Sequence, residues 1–130
     1  PAFDRSGNLW CVDLAHGRIL RVSPAGEFEV VVSYAGEPNG LKIHRDGRIF
    51  VADHLHGLML LDPVAKTIHP YLQHVKREGL KGLNDLFFTS NGDLYFTDQG
   101  ESSLDNRTGR VFRLRADGKT VAGLVRQRLG

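Results

Sequence analysis

Two asparagines, Asn39 and Asn84, are the strongest candidates for binding chemistry in this chain of 130 residues. They lie 45 residues apart, and the turn glycines Gly47 and Gly92 that follow them have the same spacing. An asparagine amide oxygen is a hard ligand that suits calcium or a similar divalent cation, and it also accepts hydrogen bonds. The equal spacing predicts that the two asparagines occupy equivalent positions in a repeated structure.

Each asparagine also has a purely structural interpretation. Asn39 precedes Gly40, and asparagine before glycine is common in turns because it tolerates unusual backbone angles. For Asn39 the residue types therefore leave a turn role and a ligand role open. Asn84 precedes Asp85 instead, so turn chemistry explains it less well and a ligand role is favoured.

Other polar residues recur without forming a comparable site. Asp13, Asp53 and Asp98 follow equivalent apolar segments, which favours a repeated structural hydrogen bond over catalysis. His54 and His56 face the same way on an extended chain and could bind a transition metal. Their loop context favours solvated turn residues instead.

The elements that carry these residues form a pattern that occurs three times. Its turn glycines are Gly7, Gly47 and Gly92, so the steps are 40 and 45 residues. Each copy contains four apolar segments separated by turns, and Asp-Gly and Asn-Gly turns between apolar segments indicate hairpins. Four strands per copy at this period predict an all-β fold of about three four-stranded β-propeller blades, over residues 1–36, 37–82 and 83–130.

Strand alternation also predicts where the loops lie. The loop that enters the first strand of a blade shares one face of the propeller with the loop between the second and third strands. The third copy carries a seven-residue insertion in that second loop, between Asp98 and Gly109. Insertions on one face of a repeat protein often decorate the binding face. Residues 73–82 are predicted to be a long connection between copies.

Composition excludes several classes of partner. Apolar residues make up 41% of the chain, charged residues 25%, and the formal net charge is +2. Because the basic residues are scattered, no nucleic-acid partner is expected. No apolar run approaches the roughly 18 residues of a membrane span, so no membrane partner is expected. The single cysteine, Cys11, does not fix the compartment, and a cytoplasmic location is only the default assumption.

Three blades are fewer than the roughly four to eight of closed propellers. An open set of three exposes two apolar blade faces, and such faces imply a partner or a missing piece. We therefore expect this chain to be half of a longer propeller. The alternative is a homodimer that closes a ring through the exposed blade faces.

Particular segments resemble the gluconolactonase, senescence-marker-protein and luciferin-regenerating-enzyme family. The resemblance spans the chain and is most specific in the segments Leu83-Asn84-Asp85-Leu86 and Asn91-Gly92-Asp93-Leu94-Tyr95-Phe96-Thr97-Asp98. It implies a six-bladed propeller with a divalent metal on its axis, and the hard oxygen ligands favour calcium as that metal. Asn84 matches a metal and substrate ligand of the family, and Asn39 matches an axial position that contacts substrate.

The same resemblance implies hydrolysis of a sugar lactone to an aldonic acid. The family's first metal-binding glutamate would precede Pro1, and its acid or base aspartate lies in blades that this sequence does not contain, so no catalytic residue is assigned. We therefore expect residues 1–130 to be a part of a lactone hydrolase that is inactive in isolation. A non-enzymatic propeller module that binds a small ligand or a protein, or a half-propeller that dimerises, remains the alternative.

Overall fold

The computed structural model describes residues 1–126, which form β-sheets without a helix. Three antiparallel sheets each contain four strands in chain order, as expected for propeller blades. The predicted all-β class and the four-stranded blades are thus confirmed. Residues 127–130 of the predicted third blade lie outside the described residues. No helix long and apolar enough to cross a membrane occurs among residues 1–126.

The strands of the three blades follow one another without crossovers. Those of the first blade are β1 Ala2–Phe3, β2 Leu9–Asp13, β3 Arg18–Val22 and β4 Phe28–Ser33. Those of the second are β5 Pro38–Ile43, β6 Ile49–Asp53, β7 Gly57–Asp62 and β8 Thr67–Leu72. Those of the third are β11 Leu83–Phe88, β12 Leu94–Asp98, β13 Arg110–Leu114 and β14 Val121–Arg126.

The repeated turn glycines adopt the conformation that the sequence predicts. Gly7, Gly47 and Gly92 have φ angles of 82°, 94° and 90°, a left-handed region that other residues rarely enter. The glycine N–H donates in each turn to the carbonyl three residues earlier, at 2.8 to 3.1 Å. These turns fix the register of the first two strands in every blade.

Alternation along the second strand of each blade builds the cores between blades. Trp10 and Phe50 each lie three residues after the turn glycine of their blade. Trp10 is 2% exposed and packs toward the second blade, and Phe50 packs toward the third. Ile49 and Leu94, two residues after theirs, point the other way, toward the preceding blade. Because both faces of the second blade are covered, every residue of β6 is buried.

The predicted connection over residues 73–82 is more ordered than the sequence indicates. It contains a two-stranded hairpin, β9 His74–Val75 and β10 Glu78–Gly79, with Lys76 in the left-handed region at its turn. The Val75 side chain is buried in the core between the second and third blades. Strands of two residues carry no readable periodicity, which is why the pattern predicted only a connection.

Arginines in the turn regions brace neighbouring blades on the face opposite the asparagines. A guanidinium N–H of Arg5 donates to the carbonyl of Arg45, and Nη1 of Arg45 donates to the carbonyl of Ser90 at 3.1 Å. The three residues occupy equivalent positions in the repeat, two before each turn glycine. The same contact thus joins the first blade to the second and the second to the third.

Candidate functional site

Asn39 lies at a β-bulge in the inner strand of the second blade. Pro38 pairs with Asp53 and Gly40 with Ala52, so Asn39 is an additional residue with no partner of its own. Asn39 is the second residue of β5, so it lies just inside the beginning of the strand. Strand pairing continues past it because the bulge absorbs the additional residue, and bulges commonly re-aim a side chain next to a site.

Asn84 lies at the matching bulge of the third blade. Leu83 pairs with Asp98 and Leu86 with Phe96, so Asn84 and Asp85 together lie opposite Thr97. Asn84 too is therefore the second residue of its strand. The two asparagines occupy the same irregularity in successive blades, as their spacing predicts.

The structure brings the two bulges into contact. Nδ2 of Asn39 donates to the carbonyl oxygen of Leu83, the residue before Asn84, at 3.2 Å. A Cβ on Gly40 would lie 3.0 Å from the carbonyl oxygen of Asn84 and 3.0 Å from Oδ1 of Asp85. Glycine at position 40 therefore lets the inner strands of the two blades approach closely.

Gln99 completes the polar group around Asn84. Nδ2 of Asn84 donates to Oε1 of Gln99 at 2.7 Å, and Gln99 follows β12 directly. It is the first residue of the loop that carries the seven-residue insertion. The sequence interpretation named the insertion but missed this residue.

The amide groups of Asn39 and Asn84 share one feature. Each donates its N–H to a fixed acceptor, and within residues 1–126 no group donates a hydrogen bond to either Oδ1. Asn84 is exposed and Asn39 is half-buried. The site thus offers two neutral hydrogen-bond acceptors, which suit hydroxyl groups or a cation.

Asp53 holds the loops around Asn39. Its Oδ1 accepts the N–H groups of Leu55 and His56 at 2.8 and 2.9 Å. Its Oδ2 accepts the Tyr34 hydroxyl at 2.7 Å and the N–H of Glu37 at 3.1 Å. Burial and this hydrogen bond raise the pKa of Tyr34, so the hydroxyl stays protonated and keeps donating.

Asp98 does the same for Asn84. Its Oδ1 accepts the N–H groups of Lys81 and Gly82 at 2.9 and 2.7 Å, three and two residues before Asn84. Its Oδ2 accepts Nε of Arg110 at 3.0 Å. Both ionic side chains are buried, which makes this a fully enclosed ion pair.

Asp13, at the equivalent position of the first blade, is less enclosed. It accepts the N–H of His16 and two N–H groups of Arg18, and the Arg18 contact lowers the pKa of the Asp13 carboxyl. All three aspartates thus make structural hydrogen bonds, as predicted, but no one bond recurs in every blade. The N–H three residues later donates to Asp13 and to Asp53. Asp53 and Asp98 share a different bond, from the equivalent N–H groups of Glu37 and Gly82.

His54 and His56 contact different partners. Nε2 of His56 bonds the carbonyl of Ala35 at 2.6 Å, whereas Nε2 of His54 lies 3.6 Å from Oε1 of Glu101 in the inserted loop. No group of three or more His, Cys, Asp or Glu side chains positioned for a metal occurs among residues 1–126.

A calcium ion takes about six to eight oxygen ligands, and Asn84 would supply one. Asn84 thus fits as a single ligand, and these residues alone do not complete a coordination sphere.

Comparison with known proteins finds a family model and relatives that are named as lactonases. A family model described as SMP-30/Gluconolactonase/LRE-like region matches residues 1–129. Lactonase drp35 of Staphylococcus aureus strain MRSA252 is 31% identical over 132 residues, which cover 95% of this chain and 39% of that protein. Gluconolactonase of Zymomonas mobilis is 38% identical over 116 residues, which cover 79% of this chain and 31% of that protein.

The fold comparison agrees. A solved gluconolactonase, XC5397 of Xanthomonas campestris, superimposes with a TM-score of 0.84 at 21% identity, over 97% of this chain and 46% of that one. At that identity the similarity establishes the propeller fold alone. The chain spans less than half the length of the relatives it matches.

Proposed function

The chain belongs to the SMP-30/gluconolactonase/LRE-like family, and on this premise we propose that it contributes three blades to a hydrolase of sugar lactones. The observation that carries the proposal is the pair of contacting bulges that present Oδ1 of Asn39 and Oδ1 of Asn84 without a donor among residues 1–126. A sugar lactone carries several hydroxyl groups that would donate to such acceptors. Two relatives, by their names, act on lactones.

Each asparagine has its own part in the proposed site. Asn39 would accept a hydroxyl proton of the lactone, since its Nδ2 is committed to the neighbouring blade. Asn84 would contact the substrate and also donate one oxygen to a divalent cation, with calcium favoured by the oxygen donor. Such a cation, when bound, polarises the lactone carbonyl. The remaining ligands and the proton-transfer group would come from other parts of a whole protein, so residues 1–130 alone should be inactive.

The experiment that tests this function is a chimaera. Residues 1–130 replace the segment of the Zymomonas mobilis relative that aligns with them, and hydrolysis of gluconolactone is followed with and without calcium. We expect calcium-dependent turnover by the chimaera and none by monomeric 1–130. A chimaera with a cooperative unfolding transition but no turnover would contradict the enzymatic proposal, and binding of the lactone without turnover would favour a non-enzymatic module.

The two outer blade faces favour a second candidate, an assembly of two copies. The side of each blade that faces the preceding blade is here called its front, and the other side its back. The back of the first blade packs on the front of the second, and the same holds between the second and third blades. No strand within residues 1–126 covers the front of the first blade or the back of the third, and these two sides are here called open.

Both open sides carry exposed apolar residues. Phe3 and Phe28 on the open front are 72% and 71% exposed. Phe87 on the open back is 65% exposed and lines one depression with Tyr95 and Val111. Head-to-tail pairing of two copies would repeat the contact that each blade already makes. Two copies would also match nearly the length of the solved gluconolactonase, since one covers 46% of it.

A charge on the open back should weaken this pairing. Phe87→Asp places a carboxylate in the proposed interface, and we expect dimerisation of 1–130 to weaken at least about 30-fold, the effect of losing an aromatic anchor. Val64→Asp is the matched control, because Val64 is 92% exposed in the turn between β7 and β8. Sedimentation velocity over a concentration series measures both. A wild-type chain that stays monomeric at every concentration would refute the assembly.

A further inference from the structure

We propose that Gln99 is a positioning residue that fixes which end of the Asn84 side-chain amide faces the site. The inference rests on the proposed function, because it concerns how Asn84 presents its oxygen to a ligand. It begins from the hydrogen bond of 2.7 Å between Nδ2 of Asn84 and Oε1 of Gln99.

An asparagine amide has two ends of nearly equal shape and opposite hydrogen-bonding character. The oxygen accepts, the nitrogen donates, and rotation of the amide exchanges the two. Asn84 is exposed, so packing alone does not choose between the orientations. In the arrangement that the structure shows, Oε1 of Gln99 accepts from Nδ2 of Asn84, which places Nδ2 toward the loop and Oδ1 away from it. In the other orientation, the site would present a donor that repels a cation.

The backbone on both sides of Gln99 is fixed. Asp98 is 1% exposed, and its carboxylate accepts the N–H groups of Lys81 and Gly82. On the other side, the N–H of Gly100 donates to the carbonyl of Gly82 at 3.0 Å, with Gly100 in the left-handed region at a φ of 59°. Gln99 is thus held between two anchored residues, and only its side chain must be ordered to reach Asn84.

The repeat shows that this arrangement is particular to the third blade. The residues at the position of Gln99 in the other blades, directly after the strand-end aspartate, are Leu14 and His54. Asn39 obtains its acceptor from the carbonyl of Leu83 in the next blade instead. Both axial amides are therefore oriented by an acceptor, one on a neighbouring backbone and the other on a side chain of the inserted loop.

Three variants of 1–130 separate orientation from fold. Gln99→Glu keeps an acceptor and Gln99→Leu removes it at similar size. Gln73→Leu is the control because Gln73 is exposed and lies directly after β8, outside the loop that begins at Gln99. The readout is the Asn84 side-chain amide in ¹⁵N-resolved NMR, assigned by its loss in Asn84→Asp. We expect amide proton exchange about fivefold faster in Gln99→Leu, the effect of one net hydrogen bond. Gln99→Glu should restore the wild-type rate, and Gln73→Leu should not change it.

An Asn84 amide that exchanges at the same rate in Gln99→Leu as in wild type would overturn the proposal. The same variants in the chimaera provide a second readout, with kcat/KM for gluconolactone expected to fall about fivefold in Gln99→Leu and to recover in Gln99→Glu. A chimaera without lactonase activity would contradict the proposed function alone, because the NMR result would still establish whether Gln99 orients Asn84.

Discussion

Replacement of Asp98 by alanine is expected to lower the free energy of unfolding by about 3–5 kcal/mol, the usual cost of removing one partner of a buried ion pair. The Asp98 side chain is fully buried and that of Arg110 is 4% exposed. Among residues 1–126, the variant leaves the buried guanidinium with one carboxylate partner, Glu78, 3.1 Å from Nη1. It also leaves the N–H groups of Lys81 and Gly82 without their acceptor.

Urea denaturation of 1–130, followed by circular dichroism, measures this loss. Asp13→Ala is the matched control, because Asp13 occupies the equivalent strand end but its side chain is 21% exposed and pairs with a 37% exposed Arg18. The control should shift the midpoint far less. Equal shifts for the two variants would show that burial does not set the cost. Should Asp98→Ala not fold at all, Asp98→Asn, which keeps the shape, should give a measurable intermediate midpoint.

The repeat itself could be predicted from the sequence because local chemistry dictates it. A tight hairpin turn requires a positive φ, only glycine adopts one freely, and so Gly7, Gly47 and Gly92 mark every blade. Counting from these glycines makes Asn39 and Asn84 equivalent. The structure confirms that equivalence down to the bulge that each one occupies.

The details of the site could not be predicted in the same way. A bulge adds one residue to one strand, and a shift of one residue leaves apolar composition and turn spacing unchanged. The contact of Gln99 with Asn84 joins positions 15 residues apart through the geometry of the loop that begins at Gln99. The bond from Asn39 to the carbonyl of Leu83 depends on how two blades pack. Each of these features arises from tertiary structure, which no local pattern encodes.

Asparagine rather than aspartate at these positions has a physical consequence. A carboxylate presents oxygen whichever way it is turned, whereas an amide must be oriented by a partner. Asn39 and Asn84 both have such a partner. A pair of oriented neutral acceptors can bind hydroxyl groups without placing two negative charges beside each other, which would suit the proposed substrate, an uncharged, polyhydroxylated lactone.

Loss of the Asn84 amide should therefore affect function more than stability. In the chimaera, Asn84→Ala is expected to lower kcat/KM for gluconolactone about 100-fold, the effect of removing an interaction with a charged group worth about 2.7 kcal/mol. Asn39→Ala removes a hydrogen bond to substrate and the bond from Nδ2 to the Leu83 carbonyl, but no metal ligand, and should cost about tenfold. Because Asn84 is exposed, neither the unfolding midpoint nor the spectrum should change appreciably in its variant.

Calcium dependence separates the two asparagines further. If Asn84 contributes a metal ligand and Asn39 does not, Asn84→Ala should raise the calcium concentration needed for half-maximal activity, and Asn39→Ala should leave it unchanged. Asn91→Ala is the control, since Asn91 lies in the turn region of the third blade, where its Oδ1 accepts the N–H of Asp93 at 3.1 Å. An unchanged calcium requirement in Asn84→Ala would remove Asn84 from the metal site and leave it as a substrate ligand only. Oδ1 of Asn84 would then accept hydrogen bonds from hydroxyl groups of the lactone, as proposed for Asn39.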